Sequence, residues 1–375
     1  MIYLDNSATT FPDEEALVTY TKVAREYVGN PSSLHALGEK SYHLLEAARL
    51  QIADLLNRKK DEIIFTSGGT ESNNLAIRGT VEAKREFGRH VITSSIEHPS
   101  VLESLGQLKE EGIIDLTVLP VSSEGKISIK DLSAAIREDT ILVTTMAVNN
   151  EVGAIQPLND IAELLKAYPT IHWHVDGVQS LGAFSEIIPH ERIDLMSFSA
   201  HKFHGPRGVG FLYKKHGRVI SPQLTGGGQE NGLRSTTENL AGICAMAKAL
   251  RRHPNHGDCQ PLQTLLKKTV ASLDNAYWLS PEDGVPYINC FALENVKGEV
   301  LLHALEEKGI YISTTSACSS KALSGSHTLK EMAYPDQITR GAVRASFGDQ
   351  TTLEEVEAFC QVLTQLAEHF AKVFA

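Results

Sequence analysis

Short apolar runs alternate with stretches of helical periodicity between residues 40 and 215, which restricts this region to an α/β domain on a largely parallel sheet. The runs lie at 63–66, 90–94, 115–119, 141–146, 171–175, 194–198 and 208–213. Between them, Leu158, Ile161, Leu164 and Leu165 share one face of a helix expected over 157–168, with proline in its first turn and Pro169 just past its end. Leu45, Ala48, Ile52 and Leu55 mark another helix over 38–56. At 375 residues the chain exceeds what one hydrophobic core usually serves. The polar, aperiodic stretch 251–261 reads as a boundary or exposed connection. Beyond it come a strand-like run at 287–293, a helix near 298–308 and a final amphipathic helix carrying Leu353, Val356, Phe359, Val362, Leu363 and Leu366. The expected organisation is a large domain of residues 13–252 and a smaller α+β domain built from 1–12 and 253–375.

The net charge of −11, with no run of lysine and arginine, argues against direct nucleic-acid binding, so RNA would be reached only through a partner. "MIYLDNSATT" carries no basic segment followed by an apolar stretch, and no run of about 18 apolar residues occurs, so a cytoplasmic protein without a membrane partner is expected. The five cysteines, Cys244, Cys259, Cys290, Cys318 and Cys360, are widely spaced and form no CxxC pair. Free thiols are expected rather than a disulfide framework or a zinc knuckle. Residues 313–326, rich in serine and threonine around Cys318, read as a mobile loop.

Chemistry-bearing residues gather at the ends of the candidate strands. Ser199-Ala200-His201-Lys202 follows the run 194–198 and leads into Gly205-Pro206-Arg207-Gly208, which places a lysine where an α/β sheet presents its chemistry. A lysine there can form a Schiff base or bind an anion; a solvated surface lysine is the plain alternative. Ser67-Gly68-Gly69-Thr70 opens a helical pattern and offers backbone N–H groups and a helix dipole to a phosphate, unless Thr70 is simply an N-cap. Glu97-His98-Pro99-Ser100 follows the run at 90–94, and Asn149-Asn150-Glu151 the run at 141–146. Asp176, with Gln179 three residues on, follows 171–175. An aspartate at a strand end can keep a ring nitrogen protonated, and a histidine can stack on that ring or move protons. His98 could equally be structural and Asp176 a helix cap. His172, His174 and Asp176 alternate as metal ligands might on one face of a strand, but that strand looks buried and no further ligand cluster lies nearby in sequence. No metal site is expected.

A phosphate cradle, a histidine, an aspartate and a strand-end lysine, in that order, are what a phosphorylated pyridine aldehyde requires. The sequence resembles fold-type I pyridoxal-phosphate enzymes and, more closely, the NifS/IscS family of cysteine desulfurases. The resemblance runs nearly end to end, through "YLDNSATT", "GNPSSLH", "FTSGGTESNN", "EHPS", "NNEVG", "HVDGVQS", "SFSAHKFHGPRGVG", "GGGQENGLRSTTEN" and "TSACSSK". The "SACSS" context of Cys318 is similar to the subgroup with a long cysteine loop.

The resemblance implies a mainly parallel central sheet flanked by helices, and pyridoxal 5'-phosphate as cofactor. It implies that Lys202 carries the cofactor as a Schiff base and moves the substrate α-proton, that Asp176 pairs with the pyridinium nitrogen, and that Gln179 bonds the ring oxygen. His98 would stack over the ring as an acid/base, with Asn150 beside the substrate. Gly69, Thr70, Ser199 and His201 would hold the phosphate, joined by Thr237 from the second subunit of a homodimer. Arg344 would clamp the substrate carboxylate. Cys318 would take the sulfur of L-cysteine as a persulfide, release L-alanine and hand the sulfur to an acceptor protein for iron–sulfur cluster assembly, tRNA thiolation or thiamine synthesis. Ala200, Gly177 and Thr236 depart from residues common in the family, and Thr236 puts a β-branched side chain at the turn beside Thr237. Competing readings are a selenocysteine lyase or aminotransferase on the same scaffold, and a catalytically silent partner-binding protein.

Overall fold

The computed structural model describes residues 1–315 and 325–373, so residue 318 and the rest of 316–324 lie outside the described residues. In chain order the elements are β1 (Ile2–Tyr3), α1 (Glu14–Glu26), α2 (Ala36–Leu55), β2 (Ile63–Thr66), α3 (Gly69–Lys84), β3 (His90–Ser94), α4 (Pro99–Glu110), β4 (Asp115–Leu119), α5 (Ile129–Ala135) and β5 (Thr140–Met146). They continue with α6 (Leu158–Lys166), β6 (His172–Asp176), β7 (Leu195–Ser199), β8 (Gly210–Lys214), α7 (Leu240–Arg252), α8 (Gln260–Ala271), β9 (Ala276–Trp278) and β10 (Ile288–Leu293). The last are α9 (Gly298–Glu306), β11 (Ile310–Tyr311), β12 (Ser313–Thr314), α10 (His327–Glu331), α11 (Asp336–Gly341), β13 (Ala342–Ser346) and α12 (Leu353–Val373).

The larger sheet has the order β2-β8-β7-β6-β5-β3-β4. β8 runs antiparallel to both of its neighbours and the other pairings are parallel, so the carboxyl ends of every strand but β8 share one edge. β5, β6 and β7 are buried along their whole length, as strands covered by helices on both faces must be. Edge strand β4 is largely half-exposed. Phe198 of β7 stacks on Phe211 of β8 with centroids 4.6 Å apart, a contact worth about 0.5–1.5 kcal/mol beyond its buried area.

α2 begins two residues before the expected start because His35 Nδ1 accepts from the Gly38 N–H at 3.2 Å and caps the helix. α6 is shorter than 157–168: Pro157 is its N-cap, and the helix ends at Lys166 with Ala167 as its C-cap, ahead of Pro169. The connection within 251–261 separates α7 from α8.

A second sheet, β12-β13-β10-β9, is antiparallel throughout. Ser313 and Thr314, expected in a loop, are a strand, because β13 offers them an open edge opposite Arg344 and Val343. The N-terminal strand β1 pairs in parallel with β11, and Asp5 bridges to Ser346, so the chain start joins this second layer. Among the described residues no helix is long and apolar enough to cross a membrane.

Candidate active site

A cleft of about 570 Å³ opens at the shared carboxyl edge, lined by residues from β5, β6, β7, the N-terminus of α3 and the segment 7–9. Parallel strands all aim their ends at this edge, which is where doubly wound sheets hold ligands.

The anion-binding corner is backbone-built. α3 starts at Gly69, and its first-turn N–H groups have no partner within the helix. The N-cap is Gly68, at φ 150°, without a side-chain cap bond; Thr70 therefore lies inside the helix and is not the cap. A Cβ on Gly69 would stand 2.7 Å from Val178 Cγ2, and one on Gly210 would stand 2.7 Å from Gly68 Cα. Any side chain at either position would crowd this cradle. Ser199, Gly69, Thr70 and His201 all line it. Burial, with the charges of Lys202 and Arg207, pushes the His201 imidazole down to about 4, so the ring is neutral at physiological pH.

Asp176, the last residue of β6, is buried and held at both oxygens, by the Val178 N–H at 3.0 Å and by Asn73 Nδ2 at 2.8 Å. The bond to Val178 is a turn within the loop, not a helix cap. Asn73 Nδ2 also donates to Ser100 Oγ at 2.9 Å, and Ser100 Oγ meets His98 Nδ1 at 2.8 Å. His98 caps α4 by accepting from the Ser100 N–H at 3.1 Å. A backbone N–H can only donate, so Nδ1 carries the lone pair and the resting proton is on Nε2. Burial lowers the His98 pKa, opposed by the charge of Asp176 and assisted by that of Lys202.

Lys202 follows β7 in a short 3₁₀ turn, and its Nζ donates to the carbonyls of Ser7 at 2.5 Å and Ala8 at 3.0 Å. Gln179 Nε2 donates to the same Ser7 carbonyl at 2.8 Å. Arg344 of β13 reaches in from the second sheet, with one guanidinium nitrogen 2.8 Å from the Asn150 carbonyl and another 2.9 Å from Asp5 Oδ1. Its Nε is buried without a protein partner among the described residues. Thr237 is exposed and lies outside this cleft, beside a hollow lined by Tyr27, Val28, Asn30 and Pro31. Cys318 lies outside the described residues.

The sequence reading missed the Ser7 and Ala8 carbonyls, which have no side-chain signature, and the roles of Asn73, Ser100 and Asp5. The alternation of His172 and His174 has a structural explanation. His172 Nδ1 pairs with Thr80 Oγ1, while His174 places Nδ1 on Thr144 Oγ1 and Nε2 on Ser197 Oγ. Burial lowers both imidazoles, to about 3 and about 4, so they are neutral core groups.

The residues present fit pyridoxal phosphate: a glycine cradle that a Cβ would fill, at a helix N-terminus, suits the phosphate, a buried carboxylate suits the ring nitrogen, and a lysine suits the aldehyde. The chain matches the Aminotransferase class-V family over residues 2–359. It is 51% identical to a "NifS/IcsS protein homolog" of Lactobacillus delbrueckii subsp. bulgaricus, covering 100% of this chain and 99% of that protein. It is 39% identical to "Cysteine desulfurase IscS" of Dictyoglomus turgidum, covering 98% of this chain and 94% of that protein. Among solved structures, a "NIFS-LIKE PROTEIN" superposes with a TM-score of 0.91 at 35% identity, covering 99% of each chain. "SspA in complex with cysteine" superposes with a TM-score of 0.84 at 31% identity, covering 94% of this chain and 100% of that one. Identity at this level, sustained over the full length, is kinship rather than shared architecture alone: the chain belongs to the class-V aminotransferase family, among its NifS/IscS-type members.

Proposed function

We propose that this pyridoxal-phosphate-dependent cysteine desulfurase moves the sulfur of free L-cysteine onto Cys318, releases L-alanine, and passes the sulfur to an acceptor protein. The reaction balances without an added oxidant: the substrate C–S bond is exchanged for a C–H bond, and the Cys318 thiol becomes a persulfide. The carrying observation is convergence. Lys202, His98, Asp176 and Arg344 face one cleft, and both flanks of 316–324 are anchored at its rim. Ser313 pairs opposite Arg344, while Ser326 and Thr328 donate to Glu151, next to Asn150, at 2.6 and 3.0 Å.

When bound, the cofactor accepts the electron pair left as the α-proton departs. Asp176, held as a carboxylate acceptor by Asn73 and the Val178 N–H, would keep the ring nitrogen protonated. Lys202 would anchor the group and carry the α-proton. Gly69, Thr70, Ser199 and His201 would hold its phosphate, and Gln179 its ring oxygen. Arg344, already braced by Asp5 and Asn150, would receive the substrate carboxylate. The Ser100 N–H keeps the lone pair on His98 Nδ1, so His98 would act through Nε2, giving up the proton it carries there as an acid and accepting one back at the same atom as a base. The described cysteines are poor nucleophiles: burial pushes Cys244 and Cys259 up to about 12 and raises Cys290 and Cys360.

The same proposal includes a homodimer in which Thr237 completes the partner's phosphate site. Leu17, Val18 and Tyr20 of α1, Val28, Leu34, and Leu37 of α2 are exposed apolar residues that support such a face. The proposed division keeps residues 13–252 as the cofactor domain, with 1–12 and 253–375 as the smaller unit whose sequence includes Arg344 and Cys318; the β1–β11 pairing supports that grouping.

The test is Cys318→Ser with sulfur-labelled cysteine. It should retain cofactor and bind cysteine, yet form no labelled protein persulfide. Wild-type alanine formation by this variant would overturn the assignment. Sedimentation of an active monomer would overturn the dimer.

A further inference from the structure

His204, His253 and Asp349 are far apart in sequence, and no spacing motif announces them. In the fold their ligand-capable atoms lie within 4.8 Å of one another. His204 Nε2 is 2.9 Å from Asp349 Oδ1, and His253 Nδ1 makes a short contact with Asp349 Oδ2. The two rings are tilted by 38° with centroids 4.3 Å apart.

The outer nitrogens decide the chemistry. His204 Nδ1 lies 2.8 Å from the Phe11 carbonyl, which can only accept, so Nδ1 carries a proton. His253 Nε2 lies 2.9 Å from Asp13 Oδ2, a carboxylate oxygen that also accepts from Arg252 Nε at 3.0 Å, so Nε2 carries a proton too. The remaining ring nitrogens, His204 Nε2 and His253 Nδ1, both point at the one carboxylate of Asp349, which shares a bridging proton with each; with those protons gone each nitrogen offers a lone pair. Two imidazole nitrogens converging on a carboxylate, with each ring's far N–H held by an oxygen acceptor, is the arrangement that fixes tautomers around a bound transition metal.

We propose that His204, His253 and Asp349 form a binding site for one borderline divalent cation of the zinc or cobalt kind, with Phe11 and Asp13 orienting the two rings. The ion takes the place of the protons that bridge the imidazoles to Asp349. Ligand bonds of about 2.0–2.1 Å require the three side chains to open by a fraction of an ångström. The Asp349 side chain, 23% exposed, gives solvent access for entry and a place for a water ligand. His204 is two residues beyond Lys202, and Asp349 follows the strand that carries Arg344. A metal here ties the lysine turn, the N-terminal segment and the second sheet together, so its role is structural.

The experiment uses holoenzyme treated with a chelator, dialysed and titrated with Co²⁺. The site predicts one Co²⁺ per chain, with d–d absorption bands to the red of the cofactor band, displacement by one equivalent of Zn²⁺, and a higher melting temperature with either ion. His253→Gln and Asp349→Asn should each abolish the bands. Asp13→Asn, which still caps α1, should weaken binding about 10–100-fold. Cys318→Ser should leave the bands unchanged. Absence of stoichiometric binding and thermal stabilisation in the wild-type protein, bands that persist in both ligand variants, or bands lost in Cys318→Ser would each overturn the site. None of these readings depends on desulfurase activity.

Discussion

Asn73 joins Asp176 to Ser100 through a single nitrogen: Nδ2 donates 2.8 Å to the Asp176 carboxylate and 2.9 Å to the Ser100 hydroxyl. One amide thus couples the group that would face the cofactor ring nitrogen to the residue that sets the His98 tautomer. Asn73→Ala should lower kcat by about 10-fold or more while leaving the protein folded and loaded, because it loosens both at once without removing either. A kcat within twofold of wild type would show that Asp176 and His98 need no shared brace.

Asp176→Asn is the sharper change. The proposed charged partner of the ring nitrogen would be lost and a second amide N–H₂ would face Asn73, so turnover should fall by about 10²-fold or more. Cofactor content should persist, since the proposed attachments at Lys202 and the α3 N-terminus are separate from Asp176. Unaltered turnover would reduce Asp176 to its turn bond with Val178.

Lys202→Ala should abolish covalent attachment of the cofactor and reduce turnover by more than about 10³-fold. Borohydride reduction followed by peptide mass analysis reads this directly: the reduced adduct should map to Lys202 in the wild type and be missing from the variant. An adduct at another lysine would reassign the site.

Much of this site was legible before folding was considered. The seven strands of the larger sheet lie within one or two residues of their apolar runs, because strands covered by helices are largely apolar and their ends are marked by polar residues and glycine. Lys202, Asp176 and His98 stood out as polar groups at those ends. Asn73 did not, since an asparagine in the first turns of a helix is unremarkable until a neighbouring strand brings Asp176 against it. Ser313 and Thr314 were read as loop for a similar reason: their strand character comes from the β13 edge, not from their own composition.

Glu97 supplies a pH-dependent prediction. Its Oε1 accepts from Ser94 Oγ at 2.5 Å and from the Met146 N–H at 2.8 Å, while Oε2 is buried without a partner among the described residues. Burial, with a smaller push from Asp176, raises the carboxyl to about 8. The folded state therefore holds a proton that the unfolded chain releases near pH 4.3. The stability contributed is complete below that value and is lost as pH rises through about 8, with a slope of up to about 1.4 kcal/mol per pH unit. Urea unfolding from about pH 5 to about pH 8 should show this decline in the wild type and a flatter profile in Glu97→Gln. Parallel profiles would mean Glu97 is ionised in the fold.

Arg49 and Glu230 form a buried bidentate pair, both bonds 2.7 Å, and Glu230 also accepts the Phe65 N–H while Arg49 donates to the Ile63 carbonyl. Arg49→Ala strands the Glu230 carboxylate beside β2 and should cost about 3–5 kcal/mol. Loss of less than about 1 kcal/mol in urea unfolding would indicate that water or another cation replaces the guanidinium.

By itself the sequence determined the α/β class, the positions of the strands and the identity of the residues at their ends, because hydrophobic periodicity and turn chemistry are local properties. Only the tertiary structure decided which of those residues work together. The chain reverses at β8 so that Gly68 packs on Gly210. The N-terminal segment lends the carbonyls of Ser7 and Ala8 to Lys202, and Arg344 crosses from the second sheet to Asn150. His204, His253 and Asp349 meet across 145 residues of chain. These contacts depend on layers packing and strands choosing neighbours, which follow from burial of the whole apolar surface rather than from any one segment.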